Sequence, residues 1–269
     1  MKLYRGITIT FEVVKIFVVL FFLWPFVTWL NFWTTFKPET LVMLNKIKIV
    51  IRTKNIFTKI TDICMAYECI LRDDYQLRSL KLSKGDVVID IGAHIGSFSL
   101  AIAKQFPQVK ILSFEPSLDS YKVFKKNIEV NNYKNIVAFN KAITSQGKKI
   151  TLYLDSVNSA LNSVHARKNN CVEISSISIE RVFQDNNIKK CAFIKMDCEV
   201  AEYDIILNTS LDILRKIELM VIEYHNPVDF GIVNKKYTLS NLIKHLENSG
   251  FTCNVNKMKK YQGMVVAKR

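Results

Sequence analysis

Glycine and proline are scarce in this chain, eight and five among 269 residues, and no internal repeat is present. A collagen-like or low-complexity chain is thereby excluded. Histidine is scarcer still, at four, which leaves little material for a multi-histidine metal site. The six cysteines (Cys64, Cys69, Cys171, Cys191, Cys198, Cys253) form no C-x-x-C pair. They read as buried, reduced thiols of a cytosolic chain rather than as staples of a small secreted domain. Acidic residues are outnumbered, 24 against 38 lysines and arginines, for a formal charge of +14. Such an excess suits a phosphate backbone or an anionic lipid surface and says nothing of the fold. With 49% hydrophobic and 23% charged residues the chain is not disordered, and its length allows one large domain or two modest ones.

One segment lacks ionisable side chains altogether. From Ile16 to Phe36 the sequence runs IFVVLFFLWPFVTWLNFWTTF. A helix of this length spans roughly 30 Å, about one hydrocarbon core. Trp24, Trp29 and Trp33 sit where amphipathic rings favour headgroups, while Pro25 and the polar Thr28, Asn31, Thr34 and Thr35 spoil a clean span. The run is expected to be an N-terminal membrane anchor, spanning or embedded. A buried helix and a signal peptide are the alternatives, the latter disfavoured by the lack of a small-residue cleavage site. Lys37, Lys46, Lys48, Arg52 and Lys54 after the run outnumber Lys2, Arg5 and Lys15 before it. The positive-inside rule then places the C-terminal side in the cytoplasm. The same cluster suits contact with anionic headgroups or an ordinary solvated face.

Residues 37–80 read as a basic helical connector, because Leu41, Leu44, Ile47 and Ile51 recur at helical spacing and Asp62–Leu80 carries a second helical stripe. From residue 81 the pattern changes to short β-branched runs alternating with helical stretches. Expected strands are Val87–Ile91, Lys110–Phe114, Ile136–Asn140, Ala192–Asp197 and Leu219–Tyr224, with Phe251–Asn256 and Gly263–Ala267 as a closing antiparallel pair. Expected helices are Ser97–Gln105, Leu118–Asn131, Tyr203–Leu207 and Leu239–Asn248; Lys149–Leu154 and Val172–Ile177 are added strands. Strand and helix in alternation imply parallel strands with right-handed crossovers. The fold class is therefore α/β, a doubly wound Rossmann-like sheet over 81–269, preceded by a hydrophobic helix (1–36) and the connector (37–80).

The strongest motif is VVIDIGAHIGSFSL, Val87 to Leu100, a hydrophobic strand ending in Asp90, a turn with Gly92 and Gly96, then a helix. Ligands of such folds sit beyond the carboxyl ends of the strands, and glycine lets backbone approach them closely. The spacing is neither the G-x-G-x-x-G of dinucleotide enzymes nor a P-loop. About twenty residues on, LSFEP supplies Glu115, an acid placed to accept ribose hydroxyls of an adenosine-containing cofactor. Ala93 and His94 lie within the turn and are candidates for contact with the cofactor, His94 by packing against it rather than as a catalyst.

DIGAHIG with a following FEP, VNNYKNI before the third strand and FIKMDCEVAEYDI on the fourth resemble the FkbM-type methyltransferases, over roughly Thr61 to Arg269. The resemblance implies a class I S-adenosylmethionine-dependent enzyme that methylates hydroxyl groups of sugars and polyketides. It implies that Asp90, Gly92 and Gly96 line the methionine and ribose part of the cofactor, that Glu115 binds the ribose, and that Asn140 to Ala142 lie near the adenine. The family's D-x-E-G-A-E is here Asp197-Cys198-Glu199-Val200-Ala201-Glu202. If the replaced glycine uses a positive φ, Val200 is strained.

Independently of the resemblance, Lys195 and Asp197 share one face of a strand, and Asp197 stands at its carboxyl end with Glu199 and Glu202 close behind. Methyl transfer to an alcohol needs alignment and a base for the departing proton. Asp197 is the first candidate, His225 in EYH the second, its unperturbed pKa being near neutral, and Lys195 is placed in the catalytic set beside Asp197; an Asp197–Lys195 ion pair is the structural alternative. Glu199 and Glu202, with Asn162, Ser163 and Arg167 of a polar loop at 156–170, are candidates for binding the acceptor. No metal is expected, although the carboxylates form a set that suits a divalent cation. The expected acceptor is a saccharide or glycolipid at a membrane. The +14 charge keeps a nucleic-acid methyltransferase as an alternative, against which stands the absence of a D-P-P-Y-type tetrapeptide and of a Cys-Pro pair. A membrane-tethered cofactor-binding protein without turnover, suggested by Val200, is the other.

Overall fold

A computed structural model describes residues 38–53, 55–153, 171–259 and 262–269. The apolar run 16–36 and the loop residues Asn162, Ser163 and Arg167 lie outside the described residues. Among the described residues, no helix is long and apolar enough to cross a membrane.

The described residues open with a hairpin, β1 (Glu39–Leu44) and β2 (Ile47–Arg52), followed by helix α1 (Ile56–Tyr67). The expected helical connector is therefore wrong at 39–52. The stripe of leucines and isoleucines satisfies a period of two as well as one near 3.6, and Ile47, Ile49 and Ile51 are all buried. Asn45 and Lys46 decide between the two readings. Both hold positive φ (47° and 60°), as in the type I′ turn that matches strand twist. The second expected helix is also shifted. Asn55 caps α1 by accepting from Phe57 N–H at 2.8 Å, and the helix runs on through a π turn, Glu68–Arg72, to left-handed Asp73. The free edge of β2 is covered by side chains: Asn131 accepts from Lys48 N–H at 2.9 Å, and Asn127 accepts from Val50 N–H at 2.5 Å. Both amides also donate back, to the carbonyls of Lys48 and Val50. The pair lies one turn apart on one face of helix α3 (Leu118–Asn131), a substitute for a neighbouring strand.

The central sheet contains β3 (Val87–Ile91), β4 (Lys110–Phe114), β5 (Ile136–Phe139), β10 (Phe193–Met196), β11 (Leu219–His225), β12 (Thr252–Lys259) and β13 (Gln262–Lys268). Its order is β12-β13-β11-β10-β3-β4-β5; β13 alone runs against the other strands and pairs antiparallel with both β11 and β12, the latter being the expected closing pair. Helix α2 (Ser97–Gln105) and α3 cover one face with the hairpin and α1. Helices α4 (Ile179–Asp185), α5 (Ala201–Asn208), α6 (Leu211–Leu214) and α7 (Leu239–Asn248) belong to the other side. Strands β6 (Ala142–Ile143), β7 (Ile150–Tyr153), β8 (Cys171–Ile174) and β9 (Ser176–Ile177) form two small ladders, β6 with β9 and β7 with β8. Val42, Ile47, Ile49 and Ile51 share a core with Val88, Phe98 and Phe193, so 39–80 is built into the sheet's cover rather than leading up to it. Burying each of these isoleucines stabilises the fold by about 1.5–3 kcal/mol. All six cysteines are free thiols.

Candidate active site

Strand order reverses between β3 and β10, and the carboxyl ends of β4, β3, β10 and β11 bring the expected residues to one rim, where a crevice forms in such sheets. The turn after β3 is held by Phe114, whose carbonyl accepts from the N–H groups of Gly92 and Ala93 at 3.0 Å. Gly92 (φ +78°) and Gly96 (φ +89°) need positive φ, but the space they leave is used by protein. A Cβ on Gly92 would lie 1.8 Å from the Asp197 carbonyl oxygen, and one on Gly96 would lie 2.0 Å from the Phe124 ring. The glycines let the turn pack against the loop after β10 and against α3.

Asp90 is fully buried beneath the turn, so its expected place along a ligand is corrected to a supporting one. One of its oxygens accepts from Ser99 Oγ at 2.6 Å, and the other lies 3.4 Å from Lys195 Nζ. Lys195 faces Asp90 across the β10–β3 ladder, donates to the Gly92 carbonyl at 2.6 Å and lies 4.0 Å from Asp197. Burial works against its charge, yet Asp90 and Asp197 outweigh that cost and hold the ammonium above the usual lysine range. At 2% exposure Lys195 cannot reach a substrate. It is a clamp between the two loops, not a catalytic residue.

Glu115, at the end of β4, accepts from His94 N–H at 2.7 Å and from Ser117 N–H at 2.8 Å. Burial pushes its carboxyl up to about 7 despite both bonds. A carboxylate offers about four lone-pair sites, so two remain for further donors. Asn140 is committed locally: its amide donates to the carbonyls of Glu115 and Pro116 at 2.9 Å. Ala142 is buried in β6 opposite Ser176. The side chain of His94 turns away from the rim, its Nε2 standing 2.9 Å from Arg52 Nη2 and 3.6 Å from Asp62. Because a guanidinium only donates, Nε2 accepts, and the imidazole is neutral with its proton on Nδ1. Burial depresses its pKa to about 4. Arg52 also grips Asp62 through Nε at 3.0 Å and Nη2 at 2.5 Å. The hairpin thus fixes the cofactor turn, a role that sequence reading missed. Its signal was an arginine ending an alternating strand.

Across the rim stand Asp197, Glu199, Glu223 and His225. Alternation along β11 puts Glu223 on the same face as His225, the pattern by which an acid two residues ahead of EYH's histidine could have been found. Tyr75 Oη lies 3.4 Å from Glu223 Oε2, Gln262 donates to Oε1, and the Tyr75 ring lies 5.6 Å from Lys195 Nζ. Burial pushes the Glu223 carboxyl up to about 7 and Glu199 up to about 8. His225 is buried, which disfavours its charge, but Glu202, Glu199 and Asp197 outweigh that and raise it to about 10. Its Nε2 lies 3.9 Å from Glu199 and 4.0 Å from Glu223, on the rim where the second sequence candidate was expected. Glu202 is fully buried and accepts from Cys198 N–H at 2.8 Å, so it braces the loop and cannot bind an acceptor. Val200 does take a positive φ, +78°, next to Glu199 at +53°, and it is fully buried. The strain expected from its replacing glycine is present.

The model of the methyltransferase FkbM domain matches residues 90–253. Methyltransferase 1 of Beauveria bassiana is 23% identical over 210 residues, 68% of this chain and 80% of that protein. Methyltransferase sdnD of Sordaria araneosa is 41% identical over 51 residues, 19% of this chain and 20% of its own length. Among solved structures, SMU.1697c of Streptococcus mutans, described as a putative methyltransferase in complex with SAH, is similar at 13% identity and a TM-score of 0.44, over 70% of this chain and 91% of that one.

Proposed function

From the premise that the chain belongs to the FkbM methyltransferase family, we propose that it is an S-adenosylmethionine-dependent O-methyltransferase whose acceptor is a hydroxyl of a saccharide or glycolipid. The observation that carries the cofactor is Glu115, a buried carboxylate with two free acceptor positions beside a turn that opens a helix. The residues fit the group. Glu115 and the backbone of Gly92 to Gly96 would hold the adenosine side, and the anionic rim of Asp197, Glu199 and Glu223 suits a sulfonium cation. Bound there, the cofactor supplies an activated methyl group.

The chain's own contribution is alignment and proton acceptance. The proton of the acceptor hydroxyl would pass to Asp197 or Glu199 as the oxygen is methylated. Both carboxylates are partly exposed at the rim, and a carboxyl near 8 is matched to neutral operation. Lys195 holds Asp197 in place.

The uncharged run at 16–36 and the lysines that follow it support a membrane-associated enzyme with its catalytic part on the cytoplasmic side, where a lipid-tethered acceptor is concentrated at the same surface. Release of a chain lacking residues 1–36 from membranes tests this; a truncated chain that remains wholly bound contradicts it. Calorimetric titration of the full chain with S-adenosylhomocysteine tests the cofactor. Glu115→Ala is expected to weaken binding by about 1–3 kcal/mol, the cost of a lost charged hydrogen bond. Unchanged affinity removes the ribose assignment. Val200 favours a second reading, cofactor binding without turnover, which product binding combined with no methyl transfer to any hydroxylated acceptor would establish.

A further inference from the structure

The acceptor side of the rim gathers carboxylates around one imidazole. Asp197, Glu199, Glu202 and Glu223 converge there, against the ammonium of Lys195 and the ring of His225. Among the described residues, Asp197, Glu223 and His225 place one ligand atom each within 4.8 Å of one another. His225 is oriented through both of its ring nitrogens. Its side chain is about nine-tenths buried, and Nδ1 is buried without a hydrogen bond, 3.5 Å from Glu202 Oε1. The opposite nitrogen, Nε2, looks into the cluster, 3.9 Å from Glu199 and 4.0 Å from Glu223. Glu202 is fully buried, and its Oε2 is also without a hydrogen bond. A carboxylate behind one imidazole nitrogen, with the other nitrogen aimed at further carboxylates, is the outer-sphere arrangement of histidines that ligate metals.

We infer that Asp197, Glu223 and His225 bind a divalent cation of the manganese or magnesium class, with Glu202 orienting the imidazole. Two carboxylates and one imidazole favour a hard or borderline ion that keeps water in its remaining positions, and no thiolate is present to draw a soft one. Tyr75 and Gln262 already hold Glu223, so one ligand is preset. Resting on the reading of this side as the acceptor site, the cation binds the acceptor hydroxyl in place of one water and lowers its pKa. Glu199, which is not a ligand, then takes the proton. A vicinal diol, able to replace two waters, is the acceptor class that this site prefers.

The test is titration of the full chain in detergent with Mn²⁺, read by electron paramagnetic resonance, alongside S-adenosylhomocysteine binding on the same sample. The expected result is saturation at one ion per chain, with nitrogen hyperfine coupling in the electron spin echo of the wild-type protein. His225→Asn abolishes that coupling, and Glu202→Gln weakens Mn²⁺ binding by about tenfold or more while product binding is kept. Product binding without saturable Mn²⁺ overturns the inference and leaves the methyltransferase reading intact. So does a bound Mn²⁺ without nitrogen coupling, which needs no variant to fold. Mn²⁺ binding with nitrogen coupling but without product binding supports the metal site and counts against the cofactor assignment.

Discussion

The two sides of the rim are built on opposite principles. On the β3–β4 side each carboxylate holds a donor: Glu115 holds two backbone N–H groups, Asp90 holds Ser99 through one oxygen while its other oxygen has no hydrogen bond, and Arg52 holds both Asp62 and His94. On the β10–β11 side carboxylates face one another, with orphaned atoms on Glu202 and His225 and left-handed backbone at Glu199 and Val200. Carboxylates tied to donors of the fold make a cradle for a ligand common to a whole enzyme class. Carboxylates that face one another mark the place where something else must bind or react. Lys195 and Gly92 join the two halves, one by charge and the other by close approach.

The comparison can be broken from the reacting side first. Asp197→Asn is expected to reduce turnover by about 10²–10⁴-fold with cofactor affinity little changed. A full-rate variant in a single-turnover assay would remove Asp197 from the chemistry. Gly92→Ala attacks the joint itself. The added methyl meets the Asp197 carbonyl at a positive φ, so a loss of about 3 kcal/mol in denaturant-measured stability is expected, with both cofactor and acceptor binding impaired. A variant of wild-type stability would mean that the turn and the β10 loop move independently.

The third prediction uses pH. Glu199 and Glu223 have folded pKa values raised above the ordinary carboxyl, so ionising them costs the folded state more than the unfolded one, and stability falls as pH rises toward about 8 and 7, respectively. His225 acts in the same direction: raised to about 10, it stabilises below its unfolded pKa and loses that contribution as pH climbs through the folded value. Metal-free protein should therefore melt at progressively lower temperature from pH 6 to 9, and Glu199→Gln should flatten the slope. A flat wild-type profile would mean that the cluster is neutralised by a group not considered. The smallest effect is Val200→Gly. Relief of about 1–3 kcal/mol of backbone strain offsets the lost packing of a buried valine, so the net change should stay within about 1 kcal/mol. A cost as large as that of an ordinary core truncation would show the left-handed residue to be unstrained.

The central strands were legible because each is defined locally. Val87–Ile91, Lys110–Phe114 and the helices Ser97–Gln105 and Leu118–Asn131 match the expected bounds, since hydrophobic runs bounded by turn residues leave little choice of period. The hairpin was not, because ETLVMLNKIKIVIR satisfies both periods. What settles it is remote: Asn127 and Asn131 bind the edge of β2 from some eighty residues away. Among the site residues, Glu115 and the glycine turn could be read in order along the chain, whereas the burial that turns Lys195 and Glu202 into supports could not. Sequence shows a charge; burial and neighbours decide whether that charge reaches solvent, clamps a loop or stays protonated.

By itself, then, the sequence determined the alternation of strand and helix, the glycine turn after β3, the acid after β4 and the strain to be expected at Val200, all properties of short segments and their periodicity. Tertiary structure alone decided that Arg52 grips the cofactor turn, that Gly92 makes room for Asp197 rather than for a ligand, and that Glu223 and His225 meet Asp197 at one rim. The reason is physical: electrostatic and steric contacts act through space, and no local pattern records which strands the sheet will place side by side.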